Sequence, residues 1–190
     1  MNQELTPTSG VTRRHGERGT FVSELIVDKA TLAAISAQDL TESYVDIDGV
    51  VRNVANGNPI ALGRFCSADL APVPAFFNSA TGRGTTDRIF LNGDEGGSTG
   101  YAVAHVATGA EKGTAYFLRV FNLATSGIGI NAVGAWENVL ASPFEQDLTV
   151  VAGTNDGGSN VMEDTVTVYV VQKQSTGNVV ERAGLLNGTS

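Results

Sequence analysis

Between Phe21 and Val171 the apolar residues recur at every second position, in short runs separated by glycine, asparagine, aspartate and proline. A period of two places alternate side chains on opposite faces of an extended strand, so it commits such a chain to half-buried antiparallel sheet. The pattern is plainest at Thr165–Val171, where Val166, Val168 and Val170 face one way and Thr165, Thr167, Tyr169 and Val171 the other. It is nearly as plain at Tyr101–Val106 and Thr114–Phe121. Asp48-Gly49 sits between Tyr44–Ile47 and Val50–Val54 and signals a type I′ hairpin. About nine such runs, with turn signals every ~8–12 residues, give the spacing of a sandwich or barrel.

At 190 residues the chain has room for one domain, with no repeat and no linker to divide it. The expected fold class is all-β: a two-sheet antiparallel β-sandwich, a single jelly roll, with an extended N-terminal arm. The arm is placed at residues 1–19, the sandwich at 20–182 and a polar tail at 183–190. One short helix is expected, capped by Asp28 and running to Ala37, with Leu32 and Ile35 on one face. Pro72 and Pro74 restrict the segment around them to an edge or a connection.

Composition narrows the function. Hydrophobic residues make up 42% and charged residues 17%, enough apolar material for a core and too little charge for general disorder. The net charge of −8 argues against binding a phosphate backbone. A single cysteine cannot close an internal disulfide or build a cysteine-based zinc site by itself. No apolar stretch reaches the ~18 residues of a membrane span. If Met1 is the natural start, no secretory signal is expected.

Each catalytic motif fails on its context. Gly96-Gly97-Ser98-Thr99-Gly100 has the form of a nucleophile elbow, but a strand-like run follows it where a helix is needed. Gly127-Ile128-Gly129-Ile130-Asn131-Ala132 resembles a dinucleotide fingerprint without the βαβ unit that gives it meaning. Asp46, Asp48, Asp94, Glu95, Asp156, Glu163 and Asp164 offer oxygen ligands near turns, yet none continues into a calcium loop. His105 lies inside an alternating strand and reads as structural. Asn187-Gly188-Thr189 has only the form of a glycosylation sequon. Trp136, Phe76, Phe77 and Phe144 share no strand face that would make a sugar platform. No catalytic residue, cofactor or metal is expected. Cys66 reads as a packed thiol or as half of an intermolecular disulfide. Arg13, Arg14 and Arg18 concentrate positive charge in the arm of an acidic chain. They read as contacts to a neighbouring subunit or an internal membrane, dispensable for folding.

A glycine-rich, low-charge all-β chain suits repeated subunit contacts, which cover surface that a monomer keeps polar. The acidity, the Arg13-Arg14 arm and runs such as Thr114–Phe121 and Thr165–Val171 resemble the single-jelly-roll major capsid proteins of tailless icosahedral, membrane-containing viruses of halophilic archaea. That resemblance spans about Phe21 to Val180 and is one of layout and composition. It implies a capsid subunit in the virion, assembled in the host cytoplasm with copies of itself and a related capsid protein, and no catalytic residues. The alternatives are a tail-tube or decoration protein, a carbohydrate-binding β-sandwich, and a hydrolase in which His105 or His15 reaches Ser98.

Overall fold

The computed structural model describes residues 2–3, 10–95, 100–118, 136–155 and 166–185. Those residues form fourteen strands and two one-turn helices, and the all-β expectation holds.

The centre is a six-stranded sheet. Its strands are β4 (Ser43–Val45), β5 (Val51–Arg52), β6 (Phe65–Asp69), β9 (Ile89–Asp94), β10 (Ala102–Val106) and β11 (Thr114–Phe117), in the order β5-β4-β11-β10-β9-β6. Asp48-Gly49 lies in the β4–β5 turn, but the turn is not the expected type I′: Gly49 takes φ +78° while Asp48 keeps a negative φ, and the Gly49 amide donates to the Asp46 carbonyl. All pairs are antiparallel except β4–β11, which run parallel. This sheet is buried on both faces. Along β10, Ala102, Ala104 and Val106 enter one core cluster, while Val103 enters the other and His105 turns to the same side. That explains why β10 is apolar at nearly every position.

A three-stranded sheet covers the first face: β12 (Trp136–Ala141), β13 (Leu148–Asn155) and β14 (Val166–Gln172). Trp136 is fully buried in the core that Ile89, Leu91 and Val106 of the central sheet share. Gly93 permits that approach, since a Cβ there would lie on the Trp136 carbonyl. Helices α1 (Val73–Phe76) and α2 (Val179–Arg182) complete this core through Ala75, Phe76, Val179 and Val180. The small pair β7 (Phe77–Asn78) and β8 (Arg83–Gly84) follows α1.

The second face is covered by β2 (Phe21–Val27) and the 59–64 segment, with Val22, Leu40, Leu62 and Phe65 around Tyr44 and Phe117. β2 pairs with β1 (Asn2–Gln3) and with β3 (Ala34–Asp39).

Three expectations are corrected. Residues 28–37 are not a helix. Asp28 does cap a turn: its Oδ1 accepts from the Ala30 and Thr31 amides and the Thr31 hydroxyl. The chain then reverses at Leu32 (φ +59°) and returns as β3, in register from Val27↔Ala34 to Ser23↔Asp39. Local side-chain bonds to the backbone compete with helix, and cross-strand pairing decides the outcome. Residues 183–185, assigned above to the polar tail, pack into the body. Asn178 accepts from the Val180 and Glu181 amides while the Glu181 carboxylate accepts from the Asn178 amide, a complete capping box, and Ala183 and Leu185 are buried beyond the expected domain end at 182. Residues 10–19 lie against the body. His15 is buried with its ring edge-on to Tyr44 at 5.0 Å, and Gly19 (φ +118°) passes over the Leu62 carbonyl where no Cβ would fit. These contacts tie residues 10–19 to the core rather than leaving them as a free arm.

The distal half of the β2–β3 hairpin leaves the body. Leu25, Ile26 and Val27 are consecutive and all exposed, so both faces of the ribbon are in solvent, and Leu32 and Ile35 opposite them are exposed as well. The Glu24 carboxylate anchors its root, accepting from Gln38 Nε2 at 2.6 Å and pairing with Lys112.

Candidate functional site: a thiol between two carboxylates

Two irregularities in the sheets create the one cluster among the described residues whose side chains could hold a metal ion. The register of β6 against β9 runs Phe65↔Asp94 and then Ala68↔Asn92, so β6 carries one extra residue. The register of β12 against β13 runs Trp136↔Asn155 and then Asn138↔Thr154, so β12 carries one too. Bulges of this kind re-aim a side chain out of the alternating pattern. They turn Cys66 and Glu137 toward each other across the edges of two different sheets. The Cys66 thiol donates to Glu137 Oε1 at 3.1 Å, and the Ser67 hydroxyl donates to the Glu137 carbonyl at 2.5 Å. Further along, the Ala141 amide donates to Asp69 Oδ2 at 2.9 Å and holds β12 beside β6.

Glu95 is the third member. It follows β9, and its amide donates to the Arg64 carbonyl at 2.7 Å. Its side chain is only 4% exposed. Arg64 Nε lies 2.8 Å from Glu95 Oε2 as an ion pair, with the rest of the arginine in solvent. The thiol sulfur and one oxygen from each carboxylate lie within 4.8 Å of one another.

The electrostatics follow from this crowding. Burial first, and the adjoining Glu137 second, push the Glu95 carboxyl up to about 7. Glu137 moves down because the Glu95 carboxyl and the thiol both hydrogen-bond to it. Burial, together with the hydrogen bond to Glu137 and the nearby negative charge, pushes the Cys66 thiol up to about 12. Such a thiol is protonated at neutral pH and is a poor nucleophile. An intermolecular disulfide through Cys66 would have to draw the sulfur away from Glu137.

The other expected residues fall elsewhere. Arg13 lies over the Phe21 ring, 3.5 Å from its centroid. Arg14 pairs with Glu42 at 2.5 Å, and its amide donates to Asp39 Oδ2. The Arg18 amide donates to Glu17 Oε2 at 3.4 Å. His105 is structural, as expected. It is fully buried, its Nδ1 lies 2.8 Å from the Thr41 hydroxyl and its Nε2 lies 2.7 Å from Asn92 Oδ1. Asn92 Oδ1 can only accept, which assigns the proton to Nε2. Burial depresses the ring to about 3. Asp46 is spent on its own turn and on Arg52 Nε and Nη2, and Asp94 accepts from the Arg64 amide. Trp136 and Phe76 are core residues, so only Phe144 of the proposed platform is strongly exposed. Ser98, the Gly127–Ala132 run, Asp156, Glu163, Asp164 and the Asn187 sequon lie outside the described residues.

Glu137 carried no signal in the sequence. It sits in an otherwise ordinary strand, Trp136-Glu137-Asn138-Val139, and only the bulge separates it from a solvent-facing position. No family model, no curated protein and no solved structure matches this chain.

Proposed function

We propose that this protein is a virus structural subunit. It assembles with copies of itself, and with a related capsid protein, into a closed icosahedral shell of the virion after synthesis in the host cytoplasm. It performs no catalysis and uses no cofactor in that role. The observation that carries the reading is the β2–β3 ribbon, which projects from the body with Leu25, Ile26, Val27 and Ile35 in solvent on both faces. A two-stranded ribbon is marginal in water by itself and gains stability once another surface covers it. The outer face of β14 supports the same reading: Val166, Val168 and Val170 are 64, 57 and 55% exposed, with Leu140 two strands away on the same face. A soluble monomer breaks such a row with charge.

The finer fold reading, a single jelly roll, belongs with this proposal. Face-to-face packing of the six- and three-stranded sheets is the layering it needs, and the parallel β4–β11 pair is the feature it must accommodate. The basic cluster joins the proposal in altered form. Arg13 and Arg14 already hold residues within their own chain, so the projecting ribbon takes the role of the arm. The burial of Trp136 and Phe76 disfavours a carbohydrate platform.

The test is the assembly state of the purified chain, by native mass spectrometry and electron microscopy, beside Ile26→Asp and Val168→Lys. Defined oligomers or shells that revert to folded monomers in either variant support the reading. A wild-type chain that stays monomeric at high concentration and high salt refutes it. A tail-tube or decoration role would appear as tubes, or as binding only to preformed particles.

A further inference from the structure

We propose that Cys66, Glu95 and Glu137 form a binding site for a thiophilic divalent cation, with zinc the best-fitting ion. The inference is independent of the assembly reading. It rests on three observations. Ligand atoms of three side chains, from β6, the end of β9 and β12, converge within 4.8 Å. Two separate bulges are needed to bring them together. The Glu95 side chain is only 4% exposed, so water competes little for its carboxylate at that point.

The chemistry of the donors selects the ion. One sulfur with two carboxylate oxygens suits borderline zinc and its spectroscopic substitute cobalt, whereas magnesium and calcium take all-oxygen shells. Tetrahedral zinc with bonds of about 2.0–2.3 Å needs ligand separations of roughly 3.3–3.8 Å. The sulfur and Glu137 Oε1 are already at 3.1 Å, and the group as a whole must close by about 1 Å at most. Three anionic ligands around a dication leave one negative charge, and the Arg64 guanidinium beside Glu95 balances it. The Ser67 hydroxyl, bonded to the Glu137 carbonyl, fixes the β12 backbone that carries the third ligand. On binding, the ion forms a bond to the sulfur as the thiol proton leaves to solvent. Glu95 and Glu137 bind as carboxylates, and a proton on either leaves in the same way. Because β6 and β9 belong to the central sheet and β12 to the covering one, the ion would tie the two sheets together.

Sequence alone hides this site, since its residues are 29 and 42 positions apart and share no spacing motif.

The full chain is titrated with Co²⁺ and with Zn²⁺ after treatment with chelator and reductant. The expected result is one ion per chain, a thiolate-to-cobalt charge-transfer band in the near ultraviolet, a higher melting temperature with Zn²⁺, and displacement of Co²⁺ by Zn²⁺ but not by excess Ca²⁺. Cys66→Ser should abolish the band. Glu95→Gln, which has the shape of the protonated acid and keeps the fold, should weaken binding by about tenfold or more, as should Glu137→Gln. Absence of Zn²⁺ binding by the folded wild type overturns the proposal. So does Co²⁺ binding without a thiolate band, a band that survives in Cys66→Ser, an affinity unchanged in Glu95→Gln, or displacement by Ca²⁺.

Discussion

Acidification from pH 7 to pH 5 should destabilise this protein through His105 by an amount that the structure sets. The ring is fully buried among Tyr44, Phe65 and Phe90. Its hydrogen bonds to Thr41 and Asn92 suit the neutral Nε2–H form. The folded ring titrates near 3 against 6.5 in an unfolded chain, so between those values the unfolded state binds a proton that the native state refuses. Stability is therefore fully present above pH 6.5 and is lost as pH falls toward 3. Integrating the proton difference from pH 7 to pH 5 gives about 2 kcal/mol. Other groups titrate in the same window. His15 is also depressed by burial and adds to the loss, while Glu95, raised to about 7, opposes it by favouring the native state as it protonates. A difference measurement removes both. Urea unfolding of wild type and His105→Gln at several pH values should show the wild type losing about 2 kcal/mol more than the variant over that interval. Parallel stability curves would refute the reasoning, as would a His105 imidazole that titrates near 6.5 by NMR in the folded state.

Four further outcomes are expected. Gly93→Ala should be among the most destabilising single changes, by about 3 kcal/mol or more, because the new methyl meets the Trp136 backbone; thermal unfolding checks it. Asn178→Ala should cost about 1 kcal/mol by removing the cap of α2, read as a lower denaturation midpoint at unchanged slope. Lys173→Met should cost about 1–3 kcal/mol, because the buried ammonium donates to the Gln146 carbonyl at 2.6 Å and the methionine leaves that acceptor unpaired. Truncation of residues 1–19 should lower the melting temperature through loss of His15 from the core, whereas truncation of residues 1–9 leaves His15 in place and should perturb it less.

Much of the fold can be read from the order of residue types, because strand burial imposes a period that survives without tertiary detail. Tyr101–Val106 contains β10, Thr114–Phe121 opens with β11 although residues 119–121 lie outside the described residues, Asp48-Gly49 lies in a hairpin turn though not one of type I′, and Val166, Val168 and Val170 share a face. The α2 signal was present too, as Asn178 with Glu181 three residues on, a capping box that local chemistry alone completes. The segment from Asp28 to Ala37 shows the limit of such reading. Its residues allow a helix, and only the presence of β2 beside it makes a strand the better use of its backbone hydrogen bonds. The basic run at 13–18 shows it again, because whether a charged stretch hangs free depends on whether His15 finds a cavity under Tyr44. The thiol–carboxylate cluster is the extreme case. Cys66, Glu95 and Glu137 meet because one extra residue in each of two strands turns a side chain out of register. Alternation is a local property, and each residue obeys it through its own neighbours. A bulge is a mismatch between two strands distant in sequence, so it exists only once the sheets have formed.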